Sequence, residues 1–281
     1  YFPNTMDTMG INKTWLDKLG LEIPATTEEY YEVLKKFKEE DPNGNGKMDE
    51  IPLILFHQMG NATNSEANFF PAFGVYDNTS YSDTTYHLMV QDGKPLFTPA
   101  QEGYKEALKY MHRLYSEGLM DAEIFTTTSE SYNAKCQDSE EIVGSFTAWT
   151  LANSVGTERA DKDFIQLPPL KGPEDNQGWT VVNDMRIGRN MFEITTSNKY
   201  PEATMRWIDE WYSQDMSIQT FYGPYDVMTE KKSDGSVIAH EPPGEMTYGL
   251  WRWGNCPADS APYACFPDFE EIITPAKQQK D

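Results

Sequence analysis

Residues 26 to 56, TTEEYYEVLKKFKEEDPNGNGKMDEIPLILF, set the tightest limit on what this chain can fold into. Thr26 and Glu29 have the spacing of a capping box, in which two side chains satisfy free amides at a helix start. Tyr30, Leu34 and Phe37 recur at helical spacing and make one apolar stripe. Pro42 ends that helix. After a polar loop, IPLILF has the length and apolar run of a short buried strand. A helix that hands over to a buried strand through a tight loop points to an α/β architecture.

The alternation continues along the chain. NKTWLDKLGLEIP predicts a short helix ended near Gly20. Residues 57 to 97 read as loops and turns, with a hairpin in HLMVQDGKPLF that bends at Asp92-Gly93. TPAQEGYKEALKYMHRLYSEGLM predicts a helix capped by Thr98, with Pro99 in its first position, Gln101 closing the box and Gly118 ending it. Its expected buried stripe is Tyr104, Leu108, Met111 and Tyr115. EIVGSFTAWT predicts a buried strand with Trp149 at its end. FIQLPPLKGPEDNQG predicts a strand running into a Pro/Gly-rich link, the best candidate for a boundary or hinge. FEITTSNKYPEATMRWIDEWYS reads as a strand, a cap at Ser197 or Asn198, and a helix from Pro201 with Thr204, Ile208 and Trp211 on one face. Beyond residue 215 periodicity is weak.

A length of 281 residues allows one large domain or two smaller ones. The formal charge of -22 repels nucleic acid and anionic lipid. It leaves sugars, metals, neutral or cationic small molecules and basic proteins as partners, and it also serves solubility alone. No apolar run reaches the roughly 18 residues of a membrane helix. The chain opens at Tyr1 without a signal peptide, which reads as a processed protein or an excised fragment. Cys256 and Cys265 are close enough to pair in an exported chain; with Cys136 they equally make three free thiols.

Within DPNGNGKMDEIP, residues 41 to 52, oxygen-bearing side chains alternate at Asp41, Asn43 and Asn45, followed by Asp49. EF-hand loops place calcium ligands at positions 1, 3, 5, 7 and 9, with Gly at 6. Counted from Asp41, Gly46 occupies position 6, Lys47 offers its carbonyl at 7 and Asp49 stands at 9. Pro52 replaces the bidentate Glu of position 12, and Glu50 is the nearest acidic substitute. The loop reads as a calcium site that locks the end of a helix. The alternative is a solvated turn in which Asx side chains satisfy backbone amides.

Other chemistry is sparse. His57, His87, His112 and His240 form no paired metal motif, and no GxSxG, P-loop or GxGxxG occurs. Carboxylates in SEGLMDAE and DSEE offer a glycosidase acid and base, although acidic clusters are common on so charged a chain. Trp149 at a strand end and the Trp251/Trp253 pair stand apart from helical tryptophans. On an extended segment Trp251 and Trp253 point the same way, with Arg252 opposite. Exposed aromatic faces of this kind stack on sugars; an aromatic core with a few edges showing is the alternative. Arg186 and Arg189 either hold a polar ligand group or pair with the acidic surface.

The block INKTWLDKLGLEIPATTEEYYEVLKKFKEEDPNGNGKMDEIPL resembles the extracellular solute-binding proteins of carbohydrate ABC transporters, in the branch of large oligosaccharide-binding lipoproteins that includes alginate-oligosaccharide binders. YSEGLMDAEIF, LPPLKGPEDN and FEITTSNKYPEATMRWIDEWYS follow in the family's order, over most of residues 10 to 215. The resemblance implies a periplasmic-binding-protein-like α/β fold of the sugar-binding class, without catalysis. It implies a second-lobe domain over 1–179, a segment returning to the first lobe over 180–215, and a C-terminal part over 216–281 packing on the second lobe. It implies a fragment lacking most of the first lobe. A structural calcium ion would be held by Asp41, Asn43, Asn45, Lys47, Asp49 and Glu50. Trp149, Arg186, Trp251 and Trp253 would line the sugar cleft. The implied partners are an oligosaccharide and ABC permease subunits, at the cell surface or in the periplasm, with membrane contact only through a lipid anchor outside this chain. The rival reading is a glycoside hydrolase or polysaccharide lyase with paired carboxylates; a third is a calcium-stabilised adhesion module.

Overall fold

Two aromatic side chains of the helix over Thr27–Glu39, Tyr30 and Phe37, pack against the buried strand over Val143–Ala148. In the computed structural model, which describes residues 4–5, 8–57, 65–77, 87–179, 182–183, 192–244, 248–257, 261–264 and 273–274, backbone contacts divide the chain into a unit over 4–183 and a unit over 184–281 with residues 1–3. Residues 184–215 and 216–281, separate pieces in the sequence reading, fall within one unit here.

The larger unit runs β1 (Asn4–Thr5), β2 (Thr8–Asn12), α1 (Lys13–Leu19), α2 (Thr27–Glu39), β3 (Ile51–Ile54), a 3₁₀ helix (Glu66–Phe73), β4 (Leu88–Gln91), β5 (Lys94–Phe97), α3 (Glu102–Ser116), α4 (Ser129–Cys136), β6 (Val143–Ala148), α5 (Leu151–Val155), α6 (Thr157–Lys162), β7 (Phe164–Leu167) and β8 (Val182–Asn183). Its main sheet has the order β3-β6-β2-β7. β3 runs parallel to β6, while β2 is antiparallel to both β6 and β7. Beyond β3, Leu53 bridges Met120 in parallel. The C-terminal ends of the 119–121 segment, β3, β6 and β7 therefore share one edge with the start of β2.

The capping box forms as its spacing predicts. The Thr26 side chain accepts from the Glu29 amide, and Glu29 Oε2 accepts from the Thr26 amide at 3.1 Å. The Ala25 and Thr26 amides, both donating to Glu29 Oε2, hold its carboxyl below the usual carboxylate range. Tyr30, Leu34 and Phe37 are all buried. The Tyr30 hydroxyl donates to Ser145 Oγ at 2.6 Å, and Ser145 Oγ donates to the Gly10 carbonyl at 2.6 Å. Phe37 meets Trp15 edge to face, with centroids 5.1 Å apart. Burial of that kind is the main stabilising term of the unit.

Three local expectations shift. Helix α3 begins after a short 3₁₀ turn, and Thr98 does not cap it. The Thr98 hydroxyl instead donates to the buried Asp77 carboxylate, which also accepts from His87 Nδ1 at 2.9 Å. The buried stripe of α3 is Ala107, Tyr110, Met111 and Leu114, whereas Leu108 and Tyr115 are exposed. Tyr110 sets that rotation by donating to the Thr27 carbonyl of α2 at 2.8 Å. The Pro/Gly-rich link after β7 is packed rather than loose. Lys171 N–H donates to the Ala25 carbonyl and Thr27 N–H to the Lys171 carbonyl, each at 2.9 Å, and Leu170 and Trp179 join the main core.

The smaller unit contains α7 (Pro201–Trp211), α8 (Gln214–Tyr222), β9 (Thr229–Lys231), β10 (Val237–Ala239), α9 (Tyr248–Asn255) and β11 (Ile273–Thr274). β10 pairs antiparallel with β9 and parallel with β11. Residues 192–196 form no strand, and α7 starts at Pro201 without a side-chain cap bond. Asn198 Oδ1 instead accepts from the Tyr200 amide at 2.7 Å. On α7 only Ile208 is buried, and Trp207 is exposed. Cys136 is a free thiol, and Cys265 lies outside the described residues. Burial pushes the Cys136 thiol up to about 12, which leaves it inert.

Gly144 permits the close approach of α2 to β6. A Cβ there would stand 2.6 Å from the Phe37 ring and 2.9 Å from Trp15. Gly144→Ala is therefore expected to cost about 1–3 kcal/mol by overpacking, read as a lowered urea midpoint at unchanged slope.

Candidate metal loop and ligand edge

Local backbone geometry builds the loop after α2. Asp41 adopts a positive φ of 45°, and Gly44 and Gly46 adopt 76° and 77°, which favours glycine at both positions. Asp41 Oδ1 accepts from the Gly44 amide and Oδ2 from the Gly46 amide, each at 3.0 Å. Asn43 Oδ1 accepts from the Asn45 amide at 3.1 Å, and Asn45 Oδ1 from the Lys47 amide at 2.8 Å. These are the Asx turns of the polar-turn reading. The amide groups of Asn43 and Asn45 turn toward Asp49, at 3.3 Å and 3.1 Å from its Oδ1.

Glu50 is what a plain turn leaves unexplained. Both of its carboxylate oxygens are buried, and neither meets a hydrogen-bond donor. Burial pushes its carboxyl above the usual range, and the negative charges of Asp41 and Asp49 add to the shift. Three carboxylates and two amide side chains thus gather in ten residues, with one carboxylate unpaired. Among the described residues no three His, Cys, Asp or Glu side chains converge by themselves as a metal centre. A cation here must also use the amide oxygens of Asn43 and Asn45 and the Lys47 carbonyl. This hard, all-oxygen donor set fits calcium in type, and the orphaned Glu50 supplies the unmet negative charge.

A distant residue completes the loop. Glu140, in the turn before β6, accepts from Asn45 Nδ2 at 3.2 Å and stands 3.5 Å from Lys47 Nζ. Sequence spacing gave no sign of it, because 95 residues separate Glu140 from Asn45. The loop meets the sheet at the N-terminal ends of β3 and β6, where Ile51 N–H donates to the Ile142 carbonyl at 2.8 Å.

Trp149 lies at the other end of β6. It follows Ala148, the last strand residue, and is 46% exposed. The length of β6, at about 3.3 Å per residue, sets it roughly 20 Å from the metal loop. Of the other expected ligand residues, Trp251 and Trp253 belong to the smaller unit. They sit on helix α9 rather than on an extended segment. Helical residues two apart diverge by about 200°, so the two indoles do not share a face. Trp253 is 66% exposed and Trp251 is half-buried. Arg186 lies outside the described residues. No described helix is long and apolar enough to cross a membrane.

No family model matches the chain. The chain is 39% identical over 220 residues to the fructooligosaccharide ABC transporter substrate-binding protein FusA of Streptococcus pneumoniae, an alignment covering 78% of this chain and 38% of that protein. The solved structure of FusA in complex with kestose superposes with a TM-score of 0.77 at 33% identity, covering 96% of this chain and 53% of that one. An EF-hand mutant of FusA with fructo-nystose superposes at 0.76 with 32% identity, covering 98% of this chain and 55% of that one. The alginate-binding protein AlgQ2, solved without calcium ion, shares the fold at a TM-score of 0.58 and 19% identity, over 97% of this chain and 55% of that one. The fold is thus that of the periplasmic sugar-binding proteins, and the chain spans about half the length of the solved relatives or less.

The raised Glu50 carboxyl carries a pH signature. Its neutral form is favoured by folding, so its contribution to stability is full below the unfolded carboxylate value of 4.5 and is lost as pH rises through the higher folded value. In chelator, Glu50→Gln is expected to raise the melting temperature above that window and to leave it nearly unchanged at acid pH. Melting curves in EDTA across pH 4 to 8, a range of roughly the carboxylate titration and beyond, check this.

Proposed function

We propose that this chain, which belongs to the solute-binding proteins of carbohydrate ABC transporters, captures an oligosaccharide for import and does not transform it. Its relatives are substrate-binding proteins rather than enzymes. The observation that carries the reading is Trp149, a large indole left exposed at the C-terminal edge of a parallel strand pair. Ligands of open α/β sheets collect at such edges. An indole face there supplies flat apolar surface for the C–H face of a sugar ring, and a neutral sugar suffers no repulsion from the acidic surface.

Fructo-oligosaccharides are the first class to test, given the FusA ligands. Trp253 and Arg186 are the candidate contacts of the smaller unit, and Trp251 supports α9 from a half-buried position. In lobe terms, the larger unit is the second lobe, and residues 184–215 belong to the segment that returns to the first. The implied partners are permease subunits of an importer. The implied location is the outer cell surface or the periplasm, by way of a lipid anchor outside this chain.

Calcium is the proposed occupant of the loop, held by Asp41, Asn43, Asn45, the Lys47 carbonyl, Asp49 and Glu50. The EF-hand variant of FusA and the orphaned Glu50 support it. The ion supplies charge balance at the junction of α2 and β3. Its distance from Trp149 makes its role structural.

Titration calorimetry against a panel of oligosaccharides should give saturable binding in the wild type. Trp149→Ala is expected to weaken it roughly tenfold, the scale of one buried aromatic contact. Absence of binding to every glycan, together with release of reducing sugar from one, overturns the proposal. Calcium at 100 times its dissociation constant should stabilise the wild type by about 2.7 kcal/mol, and Asp41→Ala should abolish that gain.

A further inference from the structure

We infer that the ligand edge carries an aromatic shelf extending past Trp149, formed by His57 and Phe125, which stacks further units of an oligosaccharide. This rests on the oligosaccharide reading and adds the length of ligand the site prefers.

The register places the three residues side by side. Leu53 pairs with Ser145 and Ile54 with Phe146 in parallel. Past that last pair, His57 and Trp149 each lie three residues on and leave the sheet at the same edge. On the other side Leu53 bridges Met120, also in parallel, and the turn over 122–126 that follows brings the Phe125 ring against His57. The C-terminal ends of three neighbouring chain segments thus end in Phe125, His57 and Trp149. One strand spacing of about 4.8 Å and the 5.8 Å between the His57 and Phe125 rings give a row of roughly 10 Å, the length of about two sugar units.

Each member is presented rather than buried. Phe125 is 68% exposed and Trp149 46%. The His57 and Phe125 rings meet edge to face with centroids 5.8 Å apart, and Tyr115 backs Phe125 at 5.6 Å. A contiguous exposed aromatic group is informative where a single exposed side chain is not. The His57 ring is held in place by its Nδ1, 2.6 Å from Glu66 Oε1. The Glu66 partner raises the His57 pKa, so the pair is a charged one over more of the neutral range. The segment that carries Glu66 is tied back to the Trp149 strand, where Thr147 Oγ1 donates to the Ser65 carbonyl at 3.3 Å. Ring faces with a fixed polar rim suit a ligand that alternates C–H faces with hydroxyls.

The test is calorimetric titration of the whole protein with sucrose, kestose and nystose. Phe125→Ala and His57→Ala are each expected to weaken nystose binding by roughly five- to tenfold and to leave sucrose unchanged. Phe125→Trp should keep nystose binding. Phe125 is exposed, so its variants should melt with the wild type, and that control separates a lost contact from a lost fold. If neither alanine variant changes nystose affinity while Trp149→Ala does, the shelf is wrong and the sugar reading stands. If the wild type binds no member of this series and none of a glucan or mannan series, the sugar reading falls and takes the shelf with it.

Discussion

Strand β6 is buried along its whole length, and both functional ends of the larger unit hang on it. Its flat centre, at Gly144 and Ser145, accepts the aromatic face of α2. The Tyr30–Ser145–Gly10 hydrogen-bond relay crosses from helix to β6 to β2. Such a relay inside a packed core leaves no polar atom along it unsatisfied, so it fixes register as well as adding stability. Once β6 is fixed, β3 is fixed beside it, and the positions of the metal loop and of Trp149 follow.

The two ends then have different work. At the N-terminal end, three carboxylates repel one another and Glu50 lacks a partner. That energetic fault is local, and a hard cation removes it without any need to touch the ligand. At the C-terminal end, Trp149 and Phe125 stand exposed, and a ligand that covers them gains apolar contact. Under the proposed reading, placing the two at opposite ends of the same strands separates stability from recognition. A change at the loop is felt at Trp149 only through β3 and β6, which the packed core holds stiff.

Sequence patterns reach only part of this. The capping box at Thr26, the loop turns at Gly44 and Gly46, and the strand ending at Trp149 are local, decided within a few residues, and the chain folds there as its spacing predicts. Helix α3 is different. A buried carboxylate at Asp77 draws away the Thr98 hydroxyl, and the Tyr110 bond to the Thr27 carbonyl turns the buried stripe by about one position. Trp251 and Trp253 alternate as a strand would, yet the segment is helical, because a two-residue pattern carries too little periodicity to choose. Glu140, His57 and Phe125 are invisible in one dimension. Each acts through a neighbour that is parallel in space and distant in sequence.

That last class of residue decides what a binding edge can select. A single indole stacks one ring and discriminates weakly, since most sugars offer a similar C–H face. A row set by parallel register is read as a length, because each added ring position is engaged only by a ligand long enough to reach it. Selection by length also tolerates variation in linkage, which hydrogen-bonding side chains must then restrict. Here the exposed His57 ring, held by the Glu66 carboxylate at the base of the proposed shelf, is the polar group closest to that task. The shelf and the pair beneath it therefore divide recognition between reach and orientation, and both depend on β3 and β6 ending together at the same edge.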